Sequence, residues 1–502
     1  MPTKTIPLFG SFTSRSGTTF GSKDQEFINC FPEVISNSLS GNRIVELYKR
    51  DGVISVAETA ASNLSSFGAC VWESKADGSA PPILSFLKST SDNVRIYRVS
   101  GGSTVAQVGG DIASTSNCYF LNDTLVSGVS NITGVFTDSS SGAKEVWFFP
   151  EGGAWTQITD GDFPPNIGTP EPITPYIAHL DGYMFVMSTN GKIWNSDVNS
   201  IANWTASSYI TAQAAADNGT AIARYKDYIV AGGTRSIEFF YNAGNPTGSV
   251  LSPVANSVIN IGVARADNNI PTMRTIGDTL YFIGVDSGVY GFYQLAGNQA
   301  KKISTQAVDK FFSPGDDLVL GIAGGFMLNE KRHIMFNSVS NGTKNFCYCI
   351  DNDFWWTLTL ASQAKSINAI VSGTVSGDAR TYFNNYSAAA NVYRFDDTDF
   401  RDDSSAYTMT VRTNGLDFDT DEEKFVSDIW LNADTQASGT ATLEKSDDDY
   451  GSWQTLGTFD MTKHEKRITR CGSHRGERAY RLTHSANTAF RARSLRIKYT
   501  AG

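Results

Sequence analysis

Cys471-Gly-Ser-His474 sets a thiol and an imidazole at the spacing of two zinc ligands. A structural zinc needs a second pair at comparable spacing, and only the solitary His484 follows, so no metal is expected there. Carboxylates are grouped at Asp396-Asp397, Asp402-Asp403 and Asp447-Asp448-Asp449. Two acids about 5 to 10 Å apart are what glycoside hydrolysis requires, but these runs lie in polar, turn-rich sequence, where solvation and turn capping account for them. The acidic stretch 396–460 would offer hard oxygen ligands to calcium, yet it has no DxDxDG loop. GxSxG, GxxxxGK[ST] and HExxH are all missing, as is a Cys–His pair in a recognisable local setting. The reading therefore assigns no catalytic residue, no cofactor site and no metal site.

Three of the five histidines, His464, His474 and His484, lie among arginines, where neighbouring cations disfavour protonation and a polar strand face is the commoner role; the others are His179 and His333. The segment SDDDYGSW at 446–453 approaches the Asp-box hairpin, Ser-x-Asp-x-Gly-x-x-Trp, with its glycine one position late. That pattern fixes a turn and does no chemistry, and it predicts a β-hairpin with Trp453 in the core. Residues 396–460 carry 17 acidic against 4 basic side chains, and residues 461–502 carry 11 basic against 2 acidic. Arginines in so polar a strand region suit the rim of a protein interface, and Arg470, Arg475, Arg478 and Arg481 are the predicted interface residues. Pairing with the acidic stretch, within the domain or across subunits, explains the basic end more simply than phosphate contacts do.

The elements that must position these residues read as strands. The chain has 20 Tyr, 30 Phe and 45 Gly, with only 18% charged residues, a mixture suited to pleated strands and tight turns. A net charge of −10 argues against bulk nucleic-acid binding, which rests on clustered Lys and Arg. Cys30, Cys70, Cys118, Cys347, Cys349 and Cys471 form no CxxC pair and are expected as reduced thiols filling core space. The sequons at Asn122 and Asn203 are by-products of polar composition. No run approaches the 18 or so apolar residues that span a bilayer, and the start, MPTKTIPLFGSF, lacks a long apolar signal, so folding in a cytoplasm is expected.

Between residues 61 and 395 one pattern recurs: a turn, a short apolar strand, a second turn, and a strand carrying an aromatic. HLDGYMFVMSTNGKIWNSD at 179–197, RYKDYIVAGGTRSIEFFYNAG at 224–244 and TIGDTLYFIGVDSGVYGFYQLAG at 275–297 are examples. The aromatic falls at Tyr97, Trp147, Trp194, Phe240, Tyr290, Tyr348 and Tyr393, with gaps of 50, 47, 46, 50, 58 and 45 residues. That period is one four-stranded propeller blade, which cannot bury both its faces alone. The fold expected is all-β: a β-propeller over 61–395, seven blades favoured over six, then a C-terminal β-sandwich-like domain over 396–502. Residues 1–60 are expected as an irregular segment packing on its surroundings. Two stacked sandwiches with evenly spaced hairpins are the alternative. In the last domain KFVSDIWLNA, GTATLEKS, AYRLTHS and RSLRIKYT alternate as half-buried antiparallel strands do.

EFINCFPEV at 26–34, then LYKRDGV at 47–53 with Asn29, Glu33 and Gly52 in place, then the propeller hairpins, SDDDYGSW, KRITRCGSHRGERAYRL and a final RARSLRIKYT resemble, in that order, the packaged-DNA stabilisation proteins of podoviruses. Asp51 stands where that family's turn has proline. The resemblance implies a non-enzymatic tail hub or nozzle. Such a subunit forms a homohexameric ring below the portal and adaptor rings, retains DNA until ejection and carries fibres, spikes or a needle. It would be assembled in the bacterial host cytoplasm and reside in the virion tail, with genomic DNA passing through its channel without sequence-specific binding. The rival from another class is a glycan-binding or glycan-cleaving propeller, which its nine tryptophans would suit; no Trp-plus-acid motif repeats from blade to blade. A DNA-binding accessory factor is the third reading, and the net charge opposes it.

Overall fold

The computed structural model describes residues 3–8, 25–36, 43–58, 65–72, 83–88, 93–100, 104–112, 115–138, 140–150, 153–266, 271–311, 320–338, 345–361, 367–375, 378–385 and 391–502. Strands dominate, joined by one 3-10 turn at Pro164–Asn166 and one short helix at Gln306–Phe311 among the described residues. The strands from Ser65 to Asp396 fall into seven consecutive antiparallel units of four strands, except that in the fifth Gly262–Val263 and Met273–Ile276 share the first position, both pairing with Thr279–Asp286, and the seventh draws on this stretch for only three. The third unit, for example, runs Ile173–Leu180, Tyr183–Ser188, Lys192–Ser196 and Trp204–Thr211. Every aromatic mark, from Tyr97 to Tyr393, sits on the third strand of its unit. The hairpins turn where the sequence supplies positive φ: Asp181 and Gly182 stand at 52° and 82° and Ser287 and Gly288 at 51° and 82°, as tight two-residue connections require.

The first strands of successive units pack side by side, and Ile367–Val375 of the last lies against Ser65–Val71 of the first. The ring thus closes by side-chain packing between sheets, with no single sheet closed on itself. Apolar clusters bridge adjacent units: Ile132 and Phe136 share one with Val94 and Ile96, and Phe292 meets Phe336 and Trp355 in another. This is how a blade with two apolar faces is buried.

The fourth strand of the seventh unit comes from the other end of the chain. Gly52–Glu58 pairs antiparallel with Asn391–Asp396, so the N-terminal segment completes the last blade. The segment expected to be irregular is built of strands in its described parts. Thr3–Pro7 and Arg43–Lys49 both pair with the final strand, Arg491–Ala501, and Glu26–Ile28 pairs with Met409–Arg412. Arg43–Lys49 also forms a local hairpin with Cys30–Ser36, whereas Thr3–Pro7 and Glu26–Ile28 pair only with strands far away in sequence, which is why alternation alone did not reveal them. Together with the strands after Met409 they form two facing sheets around Ile6, Leu47, Val411, Ile429, Leu443, Leu482, Leu495 and Ile497. The same apolar cluster continues into the sixth and seventh units through Phe326, Trp356 and Phe383. At its centre His333 is caged by Phe31, Phe326 and Trp356, and Trp356 Nε1 donates to its Nδ1 at 3.2 Å. Burial pulls this imidazole down to about 3.

Arg50 ties the two bodies together. Its guanidinium, fully buried, forks onto Asp402 at 2.9 and 2.7 Å, and donates to Asn29 Oδ1 and to the Thr359 carbonyl. Asn29 in turn donates to Thr359 Oγ1 and the Thr408 carbonyl, and the Tyr407 hydroxyl donates to the Arg50 carbonyl. The Tyr407 ring lies 3.7 Å from the guanidinium. Next to it, Gly52 runs so close to the 399–401 backbone that a Cβ would lie 2.3 Å from the Asp399 carbonyl oxygen. Asp51 is pushed up to about 6, by burial first and then by Asp397, with Arg50 opposing. An ion pair this enclosed is stable only while every donor is matched. Arg50→Met is expected to lower unfolding free energy by about 3–5 kcal/mol in urea titrations, with Asp402→Leu in the same chain restoring part of the loss; a loss below about 1 kcal/mol would remove the pair from the account.

Candidate functional site

The outer faces of the terminal sandwich hold the chain's densest set of arginines, and strand register decides which are free. In the hairpin from Thr440–Ser446 to Gln454–Asp460, Asp448 organises the connection. It accepts from Ser446 Oγ at 2.7 Å and from the Ser452 amide at 2.9 Å, and Ser452 Oγ donates to its other oxygen. The Ser452 hydroxyl bond chiefly holds this carboxyl near 2. Trp453 departs from expectation. It is half-buried on the outer face, with the Arg481 guanidinium 4.5 Å from its ring and Tyr450 beside it.

Of the four predicted interface arginines, two are engaged inside the domain. Arg478 is fully buried: Nε and one terminal nitrogen fork onto Asp447 at 2.5 and 3.0 Å, and the terminal nitrogens also reach the Cys471 and Ser473 carbonyls. Burial pushes Asp447 up, and the bonds from Arg478 and Lys445 more than offset it, so its pKa lies below the ordinary value. Arg481 donates to Glu444 at 2.6 Å and belongs to a cross-strand row, Glu26, Arg412, Arg481, Glu444, whose outer members are acidic. Arg475 and Arg470 are exposed; Arg475 Nε reaches the Asp421 carbonyl at 3.4 Å, and Arg470 holds a positive φ of 62°. Cys471 and His474 remain apart from any metal-like set: no group of three or more His, Cys, Asp or Glu among the described residues could hold an ion. Burial raises the Cys471 thiol to about 11 and, with Arg478 adding, lowers His474 to about 4. Cys30, Cys70, Cys347 and Cys349 are likewise buried free thiols; the side chain of Cys118 lies outside the described residues.

The opposite sheet carries a second arginine face, which the sequence reading did not single out. Register places Arg467, Trp430 and Arg496 in one row, and both guanidinium groups lie over the indole, at 5.2 and 4.5 Å. Trp430 Nε1 donates to Glu465 at 3.0 Å. Further along, Arg491 lies 4.6 Å over Tyr48, and Arg491 and Arg493 both approach the buried Glu46. Phe425 adds an exposed ring on the same sheet. Cations stacked on half-exposed aromatics are held in place before any partner arrives, a surface composition enriched at protein interfaces. The signal was present in the alternation of KFVSDIWLNA and RARSLRIKYT; choosing among the arginines needed the cross-strand register.

Residues 91–317 match the family model described as "Bacteriophage P22 Gp10, beta-propeller", so that stretch, a little under half of the chain, is similar to the β-propeller of this phage family. No curated protein matches. Among solved structures, a chain from "Crystal structure of BBS1N in complex with ARL6DN, soaked with lead" aligns at 8% identity and a TM-score of 0.43, covering 70% of this chain and 98% of that one. Its counterpart soaked with mercury aligns at 9% and 0.42 with the same coverage. At these scores the likeness bears on neither fold nor function.

Asp447→Asn leaves the Arg478 charge buried without its counter-ion and is expected to destabilise the chain by about 3 kcal/mol, whereas Glu444→Gln beside the half-exposed Arg481 should cost less than about 1 kcal/mol. Equal shifts of the urea midpoint for the two variants would contradict this sorting of the arginines.

Proposed function

We propose that this chain is a structural virion protein: the tail hub or nozzle subunit of a short-tailed bacteriophage, forming a ring that extends the DNA channel below the portal and adaptor. The match of residues 91–317 to the phage propeller family carries this reading. In it the subunit retains packaged DNA, carries distal fibres, spikes or a needle, and passes the genome during ejection without altering it. Six copies are what the resemblance implies; assembly takes place in the bacterial host cytoplasm and the product resides in the virion tail. No helix among the described residues is long and apolar enough to cross a membrane.

The physical task of a nozzle is to surround a polyanion closely without holding it. A chain of net charge −10 offers a wall that repels or ignores phosphates, with fields screened over about 8 Å at physiological salt. The cations of the terminal sandwich would face protein. That role is supported by Arg478 being locked on Asp447 and Arg481 on Glu444, and by the aromatic-backed arginines around Trp430 and Tyr48. A ring of this kind joins through two different patches on each subunit, and the rotation between copies sets their number. Packing between rigid blades leaves few free strand edges that could template unwanted pairing.

Negative-stain images of the purified chain, or of tails labelled with antibody against it, are expected to show rings with a central hole. A dispersed monomer that binds glycans on an array or cleaves a bacterial polysaccharide would establish the glycan-active alternative instead.

A further inference from the structure

Inside the ring of sheets lies a cavity of about 490 Å³ lined by the first strands of the first, third, fourth and fifth units. Its charge runs against that of the whole protein. Arg224, Lys226 and Arg274 line it, with Asp278 as the carboxylate among the described lining residues. Arg274 is the unusual member. Its terminal nitrogens donate to the Ala323 carbonyl at 2.9 Å and the Ala69 carbonyl at 3.3 Å, so it reaches from the fifth unit to the sixth and the first. Those two acceptors leave at least three of its five N–H donors unused, and no carboxylate among the described residues pairs with it. The cavity gives its side chain measurable surface, but the charge sits among packed protein atoms, and burial lowers its pKa, opposed by the Cys70 thiol and by no carboxylate.

Elsewhere in this chain a buried guanidinium is matched: Arg50 has Asp402 and Arg478 has Asp447. An enclosed cation with neither carboxylate nor full solvation is costly. A mobile anion would supply what the fold withholds. Two more groups on the wall support the same ligand. His179 Nε2 is buried with no hydrogen-bond partner, and Arg224, at the exposed end, uses Nε on the Lys226 carbonyl.

We propose that the axial cavity of the propeller is a binding site for a small oxyanion of the phosphate class, held chiefly by Arg274 with Arg224 at its mouth. Planar guanidinium donors fit two oxygens of such an ion, and the volume admits it with some of its hydration. The site stands independently of the tail reading, since it lies within one subunit and needs no neighbour.

Isothermal titration of the full-length chain with inorganic phosphate, at ionic strength held constant with chloride, tests it. Saturable binding at one site per chain is expected, with affinity at least about tenfold weaker in Arg274→Gln and about threefold weaker in Arg224→Ser, the loss of charge-assisted bonds of this kind. Should Arg274→Gln fail to fold, the exposed Arg224→Ser decides. Absence of saturable binding to the folded wild-type chain, or affinities unchanged in the folded variants, would overturn the assignment.

Discussion

The fork of Arg50 onto Asp402 is the buried ion pair at the junction of propeller and sandwich, beside the pairing of Ile28 with Thr357 that carries the sheet of the sixth unit into the sandwich. Four pieces of chain meet there: the bend at Asn29 between Glu26–Ile28 and Cys30–Ser36, the turn at Arg50 to Gly52, the stretch after the sixth unit at Thr359, and the link into the sandwich at Asp402 and Tyr407. Each supplies a group that another cannot do without. Removing the charge on one side leaves the other buried and unmatched, while the surrounding carbonyls and amides lose their partners too. A junction of this kind contributes more to geometry than to net stability, because desolvating two ions offsets much of their attraction. What it fixes is the direction in which the N-terminal strand enters the last blade and the sandwich leaves it.

Much of the propeller was legible because each blade is a local object. In all but the last its strands follow one another, its turns announce themselves through Asp-Gly and Ser-Gly, and the aromatic on the third strand repeats because that position packs wholly or partly between neighbouring sheets. What escaped the reading depended on distant partners. The strands at Thr3–Pro7 and Glu26–Ile28 are too short to show a period and are defined by the final third of the chain. EFINCFPEV and LYKRDGV form a recognisable pattern, yet nothing in their residue types places Asn29 and Arg50 in one buried network. Among the arginines, composition gave the cluster but not its sorting. Whether a guanidinium is locked, as Arg478 is, or set over an indole, as Arg496 is, follows from cross-strand register, which a one-residue slip would invert. Trp453 shows the same limit: the Asp-box-like pattern predicts a core ring, and the hairpin holds it half-buried under the Arg481 guanidinium.

Charge is distributed by compartment in this acidic chain. The acidic and basic halves of the sandwich largely satisfy each other, through Asp447, Glu444, Asp428 and Asp434, and the surplus cations lie on aromatic shelves at the outside. The axial cavity is the exception, being cationic and nearly without acids. In the proposed role beside DNA, cations that are buried, paired or covered by a partner would be tolerated. Cations open to a channel would add phosphate contacts, each of which slows release.

The account requires propeller and sandwich to behave as one rigid piece, since their core is continuous from Leu495 to Phe383 and the N-terminal strands belong to both. Differential scanning calorimetry of the intact chain measures this most directly. A single transition whose calorimetric and van't Hoff enthalpies agree is the predicted result. Two separable transitions, with the sandwich melting while the propeller persists, would contradict it.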